Sequence, residues 1–192
     1  SAAIYGAKAA FGVILITTRG GEEGKPRVNI KHESGIVTPT RIGKVIDGPT
    51  FARMYNEAAG RTIYDDAAIG MIISGEDPDL YPNVDWVGEV FNNVAYNTRT
   101  NVNVSGGTSV VKYFISAGYY RENSFLKTDA LNNYNTSLNY NKFNFRANVD
   151  VKLGQWFSLN MNIANTFEQK NMPGTGTSNI YSHALMTPAI SF

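Results

Sequence analysis

The sequence has no cysteine, which excludes disulfides and thiolate metal sites. That fits an oxidising compartment managed without disulfides. Histidine is nearly missing too: His32 and His183 stand far apart in sequence, with no ligand-like neighbours. His32 falls on the apolar side of a strand pattern, where packing is its expected role. No charge dominates, since 17 basic residues oppose 16 acidic ones and leave a net +1. Composition therefore gives no electrostatic footprint for nucleic acid. Long apolar runs are also missing. The longest lies around Val13–Ile16, far short of the roughly 20 residues of a transmembrane helix. A membrane β-barrel stays open, because each barrel strand is only half apolar. The length of 192 residues allows one large domain or two small ones. The chain starts at Ser1 and stops at Phe192 within an unremarkable stretch, so both ends are expected to be cuts.

Asparagine and aromatic residues are abundant, and both are skewed. Of 21 asparagines, 19 lie from Asn83 onward, and so do 17 of the 23 aromatic residues. Text rich in both and poor in charge is unusual for a soluble core. It is ordinary for outer-membrane strands, which turn aromatics and aliphatics to lipid and small polar groups to the lumen.

The clearest pattern runs from Lys142 to Phe167. Phe143, Phe145, Ala147, Val149, Val151 and Leu153 alternate with Asn144, Arg146, Asn148, Asp150 and Lys152. After a tight break at Gly154-Gln155-Trp156 the alternation resumes, with Phe157, Leu159, Met161 and Ile163 on the apolar side. Period two over eleven residues predicts a two-faced strand about 36 Å long. Tilted near 45°, it covers about 25 Å, the height of an outer-membrane barrel's apolar band. The residues alone leave a soluble β-sandwich with one wet face open.

Elsewhere, Ser1–Ala10 reads as a short helix and Val13–Thr18 as a strand buried on both faces. Arg19–Pro26 is a charged, Gly-rich linker, placed here as a domain boundary between 1–26 and 27–192. Val28–Ile36 alternates as a first two-faced strand. Asp47–Gly60 predicts a helix, with Pro49 in its first turn, Gly60 at its C-cap, and Phe51, Met54 and Tyr55 on one face. Ile63–Asn93 reads as loop, and strands resume from Thr100. Tight connections (Gly106–Ser109, Gly154–Trp156) alternate with long ones, as the short periplasmic turns and long external loops of barrels do.

Chemical sites are sparse. Glu76, Asp77, Asp79 and Asp85 lack EF-hand spacing. Gly174-Thr175-Gly176-Thr177 lacks the lysine of a phosphate loop. No base and nucleophile pair emerges, so neither an enzyme nor a cofactor is expected. Arg146, Asp150, Asn144, Asn148 and Lys152 either meet lumen water or an internal domain, or line a substrate path. Tyr120, Phe125, Tyr134 and Tyr140, near the long-loop rim, either stack on sugar rings or form an interfacial aromatic girdle, the latter being favoured.

The first residues narrow the choice. Ser1-Ala2-Ala3-Ile4-Tyr5-Gly6, then Ala9-Ala10, then Gly12 to Thr18, strongly resemble the end of the plug domain in TonB-dependent outer-membrane transporters of the SusC/RagA family of Bacteroidetes. Ala3, Tyr5, Gly6 and Gly12 carry that structural motif. Asn83-Val84-Asp85-Trp86, Val104-Ser105-Gly106-Gly107 and Tyr113 to Tyr119 resemble later family segments. Phe11 departs from the family's usual asparagine. The resemblance implies a mostly β fold: a fragment of a 22-stranded transmembrane antiparallel barrel, about five strands here, with the C-terminal part of its plug. It further implies an outer-membrane importer of oligosaccharides, or alternatively of peptides. Its partners would be a SusD-type lipoprotein, outer-membrane lipid, and the TonB system acting through a segment outside this chain. A soluble glycan-binding β-sandwich is the alternative from another class, and a barrel enzyme a third, disfavoured one.

Overall fold

The computed structural model describes residues 19–128 and 136–191. The helix expected at Ser1–Ala10, the strand at Val13–Thr18, the motif residues Ala3, Tyr5, Gly6 and Gly12, and Tyr134 lie outside them. Nine elements follow in chain order: β1 (Gly24–Val37), α1 (Gly48–Ala59), α2 (Asp66–Ser74), α3 (Trp86–Val90), β2 (Ala95–Gly107), β3 (Val111–Asn123), β4 (Asn139–Leu153), β5 (Phe157–Asn171) and α4 (Thr177–Met186). The strands form one open antiparallel sheet in the order β1-β2-β3-β4-β5. Each strand pairs with its sequence neighbours, so the sheet is a meander.

The strands outrun their expected bounds. β4 and β5 have 15 residues each, about 50 Å when extended. Period two persists into the flanking polar residues, which is why apolar text alone understated them. The β2–β3 turn closes on itself: the Thr108 amide donates to the Val111 carbonyl (2.7 Å), and Thr108 Oγ1 accepts from the Val110 and Val111 amides (3.2 Å each). The β4–β5 turn uses Gly154 at φ 73°, a left-handed conformation that glycine adopts without a Cβ penalty.

The chain divides into two compact units. The first comprises the N-terminal part through Lys31, Thr100–Gly118 and Phe143–Phe167, and holds both tight turns. Its described linker lies along the polar side of the strands. Asn148 Nδ2 donates to the Arg19 carbonyl (2.6 Å), and Lys112 pairs with Glu23 (3.0 Å). Gly21 approaches the Tyr113 backbone so closely that a Cβ would not fit.

The second unit comprises His32–Arg99, Tyr119–Lys142 and Glu168–Phe192, and holds the long connections. Its core is Ala52, Ile69 and Ile72, flanked by Tyr64, Tyr81 and Ile190. α1 begins as expected: Asp47 caps it by accepting from the Thr50 amide (2.9 Å), and Gly60 ends it at φ 63°. Its buried face differs from the expected one. Ala52 is fully buried, whereas Met54 and Tyr55 are exposed. Phe51 and Tyr55 stack on each other (5.9 Å), and Tyr55 meets Tyr64 edge-on (6.0 Å). The close approach to α2 requires a small residue, so the contact uses alanine.

The expected loop Ile63–Asn93 contains α2 and α3. α2 starts at Asp65, whose side chain accepts from the Ala68 amide (2.8 Å), and ends at Gly75 with φ 63°. Its caps are ordinary, but Ala-Ala-Ile-Gly-Met-Ile-Ile is apolar nearly all round and offers no period-3.6 contrast. α4 follows β5. It returns to the β1–β2 connection: Trp86 Nε1 donates to the Pro188 carbonyl (3.1 Å), and the Val84 amide to the Ala189 carbonyl (2.8 Å).

Candidate functional site

Strand alternation sorts side chains onto two faces, and the contacts fix which residues share one. Phe143 and Phe167 meet with ring centroids 6.4 Å apart, while Thr166 Oγ1 donates to Asn144 Oδ1 (3.0 Å). Asn160 Nδ2 donates to Asp150 Oδ1 (2.5 Å), and a Cβ on Gly118 would lie against Asn101 and Asn144. One face thus carries Asn101, Lys112, Asn144, Arg146, Asn148, Asp150, Asn160 and Thr166. The other carries Val28, Ile30, Ile115, Phe143, Phe145, Leu159, Met161, Ile163 and Phe167.

The apolar face is uncovered among the described residues. Phe143 is 48% exposed, Phe145 46%, Leu159 49% and Met161 44%. The sandwich reading required these four in a protein core, and none of the described residues covers them. The aliphatic positions of β4 and β5 on this side are uninterrupted by any ionisable residue.

The four candidate residues of β4 share the polar face but differ in surroundings. Asn148 is buried, on the Arg19 carbonyl. Asn144 and Asp150 are held by β5 partners, which fixes their orientation. Arg146 is exposed. Of the rim aromatics, Tyr120 and Tyr140 meet edge-on (6.1 Å, 62°). Arg99 lies 5.2 Å over the Tyr120 ring, and the Tyr120 hydroxyl donates to Glu122 Oε2 (2.7 Å). Lys142 pairs with Glu168 (2.7 Å) in the same unit. These residues share one side of their strands. Phe125 lies beyond β3 and lines an apolar cavity of about 290 Å³ with Ile42, Val87, Leu138 and Tyr181. Arg99, Glu122, Lys142 and Glu168 were missed as site residues. The available signal was the phase of each strand, extended past its apolar portion.

Carboxylates of the acidic stretch act as caps. Asp77 Oδ1 accepts from the Leu80 amide (3.1 Å), and Asp85 caps α3 through the Gly88 amide (3.0 Å). Hydrogen bonds from the Thr50 hydroxyl and then its amide hold the Asp47 carboxyl below its usual range. Among the described residues no group of three or more histidines and carboxylates is disposed to hold a metal. His32 Nε2 lies 3.0 Å from Ser34 Oγ on the same strand face. The arrangement offers a wall: hydrogen-bonding groups and aromatic faces on one side, an apolar surface on the other.

No family model matches the chain. It is 26% identical over 181 residues to TonB-dependent receptor P26 of Formosa agariphila, covering 92% of this chain and 17% of that one. It is 28% identical over 138 residues to TonB-dependent receptor SusC of Bacteroides thetaiotaomicron, covering 71% and 12%. In structure it is similar to the RagAB peptide importer in its open-open state, with a TM-score of 0.68 at 19% identity over 98% of this chain and 23% of that one. Against the closed-closed state the TM-score is 0.66 at 20% identity, over 97% and 23%. The chain therefore spans less than a fifth of the curated relatives' length.

Proposed function

We propose, for a chain that belongs to the SusC/RagA family of TonB-dependent receptors (outer-membrane β-barrel transporters, not enzymes), that it forms part of the wall and external mouth of an oligosaccharide importer. The observation that carries this reading is the division of faces. The apolar face turns to lipid and the polar face to an aqueous lumen, within a closed barrel of the kind the family builds. Residues 1–26 end the plug, and 27–192 begin the barrel.

Substrate passes along the polar face. Tyr120 and Tyr140 present ring faces on which sugars stack, beside Arg99. Asn144, Asp150 and Arg146 supply acceptors and donors for hydroxyls. The linker bond from Asn148 to Arg19 is one of the contacts that must rearrange as the plug moves. The TonB system supplies the energy through a part of the receptor beyond these residues, shifting a closed state toward an open one.

Strand parity sets the direction. β1 runs outward from the linker, so the tight turns at Thr108 and Gly154–Trp156 face the periplasm. The β1–β2 connection, with α1, α2 and α3, faces outward and meets a SusD-type lipoprotein. A connection with its own buried core is more than padding. Cysteines placed at Asp65 should react with an impermeant thiol reagent on intact cells, and cysteines at Thr108 should not; the opposite pattern overturns the topology. Protection of Asp65 should depend on the lipoprotein.

A peptide cargo is the second reading, favoured by the fold likeness to the RagAB peptide importer. Uptake of labelled oligosaccharide that is abolished by deleting the receptor and uncompeted by peptides supports the first; the reverse supports the second.

A further inference from the structure

A cleft of about 550 Å³ opens between the stretch that follows β1 and the residues around α3. Lys44, Asp47, Asn83, Asp85, Phe91 and Asn93 are among its lining residues, and the whole lining belongs to the second unit. The volume falls in the range of small-ligand sites.

One wall is a run of unpaired backbone. Residues 41–47 neither turn nor bend, and residues 38–46 make no backbone-to-backbone hydrogen bond. The Gly43 amide donates to the Tyr181 hydroxyl (2.9 Å). The amides and carbonyls of Ile42, Lys44, Val45 and Ile46 have no hydrogen-bond partner among the described residues. The run is nonetheless held at both ends. A Cβ on Gly43 would lie 2.8 Å from Leu185 Cδ2, and the Gly48 amide donates to Asn83 Oδ1 (2.8 Å). Fixed backbone donors and acceptors therefore line the cleft.

The lining side chains are fixed as well. Asp47 and Asp85 are helix caps, accepting through Oδ1 from the Thr50 amide (2.9 Å) and the Gly88 amide (3.0 Å). Gly88 also lines the cleft, and a Cβ on it would lie 2.5 Å from Asp85 Oδ2, so glycine gives that oxygen room. Asn83 Oδ1 is taken by Gly48, which leaves its Nδ2 as a donor. Groups ordered beforehand cost less to bind. The chemistry narrows the ligand. Hydroxyls both donate and accept, so a polyol satisfies carboxylates, amide, ammonium and backbone together. A peptide backbone satisfies the backbone run but brings only one N–H per residue to the carboxylates. Asp47 and Asp85 outweigh Lys44, the other ionisable residue among the described lining, and so oppose an anionic sugar.

We infer that this cleft binds a neutral saccharide unit. Asp85 and Asp47 accept from its hydroxyls, Asn83 and Lys44 donate to them, and Val87 and Phe91 meet its C–H surface. None of Tyr120, Tyr140, Asn144, Arg146 and Asp150 lines this cleft, so it is a site apart from the proposed path. The inference rests on the oligosaccharide reading and on the outward placement of the β1–β2 connection.

The test is hydrogen exchange on the whole receptor in mild detergent, with short neutral gluco-, manno-, galacto- and xylo-oligosaccharides as probes. One neutral series should slow exchange at the Ile42, Lys44, Val45 and Ile46 amides. Asp85→Asn keeps a capping acceptor and loses the charge, so it should need about tenfold more sugar for half of that effect. Asp77→Asn, the same change at a cap outside the cleft, should match the parent, and so should Tyr120→Ala. An oligogalacturonate should leave the four amides unaffected. Protection by no neutral series overturns the inference, as does an equal requirement for sugar in parent and Asp85→Asn, or an equal loss in Asp77→Asn. Protection by oligogalacturonate or by a mixed peptide digest as strong as by the neutral series also overturns it. Receptor-dependent oligosaccharide uptake reads the importer independently, so uptake without protection at these amides refutes the cleft alone.

Discussion

Phe143 and Phe167 touch across β4 and β5 on one face of the sheet, while their chain neighbours Asn144 and Thr166 are hydrogen-bonded on the other. Two adjacent residue pairs thus separate an aromatic contact from a polar one across a single backbone layer. That separation puts an apolar surface and a hydrogen-bonding surface on opposite sides of one layer.

A cation at the same depth should be costly on one face and tolerated on the other. Phe145→Arg is expected to destabilise the receptor by about 2–4 kcal/mol if the position lies near the bilayer midplane. Asn144→Arg, one residue away, should cost far less. Equilibrium unfolding from phospholipid vesicles measures both.

The linker should be intolerant of side chains at one glycine and indifferent at its neighbour. A Cβ on Gly21 would collide with the Tyr113 backbone, whereas Gly20 faces open space. Gly21→Ala is expected to cost about 1–3 kcal/mol, the usual penalty of overpacking. It should also increase protease cleavage between Arg19 and Glu23, and Gly20→Ala should do neither.

The N-terminus of α1 should weaken in acid. Thr50 holds the Asp47 carboxyl below its usual range, so the cap's contribution is fully present above the ordinary carboxylate pKa. It is lost as pH falls through the lower folded-state value. Amide protection at Thr50 and Phe51, corrected for intrinsic exchange, should decline across that acid range. Asp47→Asn keeps a capping acceptor and should remove the pH dependence.

The strands were legible because one rule, alternation, holds along the length of a two-faced sheet. Gly154–Trp156 stood out for the same reason, as an interruption of that rule. The helices were legible only where caps and amphipathicity coincided. α1 had Asp47, Pro49 and Gly60, but its buried face could not be read: Phe51, Met54 and Tyr55 suggested one stripe, and packing selected Ala52. α2 had clear caps and no polar face, so its Asp65 and Gly75 passed as loop residues. The site was half legible. Asn144, Arg146, Asn148 and Asp150 follow from alternation within β4. The partners that orient them, Thr166, Asn160 and the Arg19 carbonyl, depend on register between strands and on the path of the linker. A single sequence does not display either.

The central claim is that β4 and β5 separate lipid from water. A nitroxide scan from Phe143 to Val151 and from Phe157 to Phe167, on the receptor in native outer membrane, tests it most directly. Labels at Phe143, Phe145, Val149, Leu159 and Met161 should be relaxed by oxygen and shielded from an aqueous relaxant. Labels at Asn144, Arg146, Asp150 and Asn160 should show the reverse, with period two throughout. Aqueous access at both sets of positions would contradict the account.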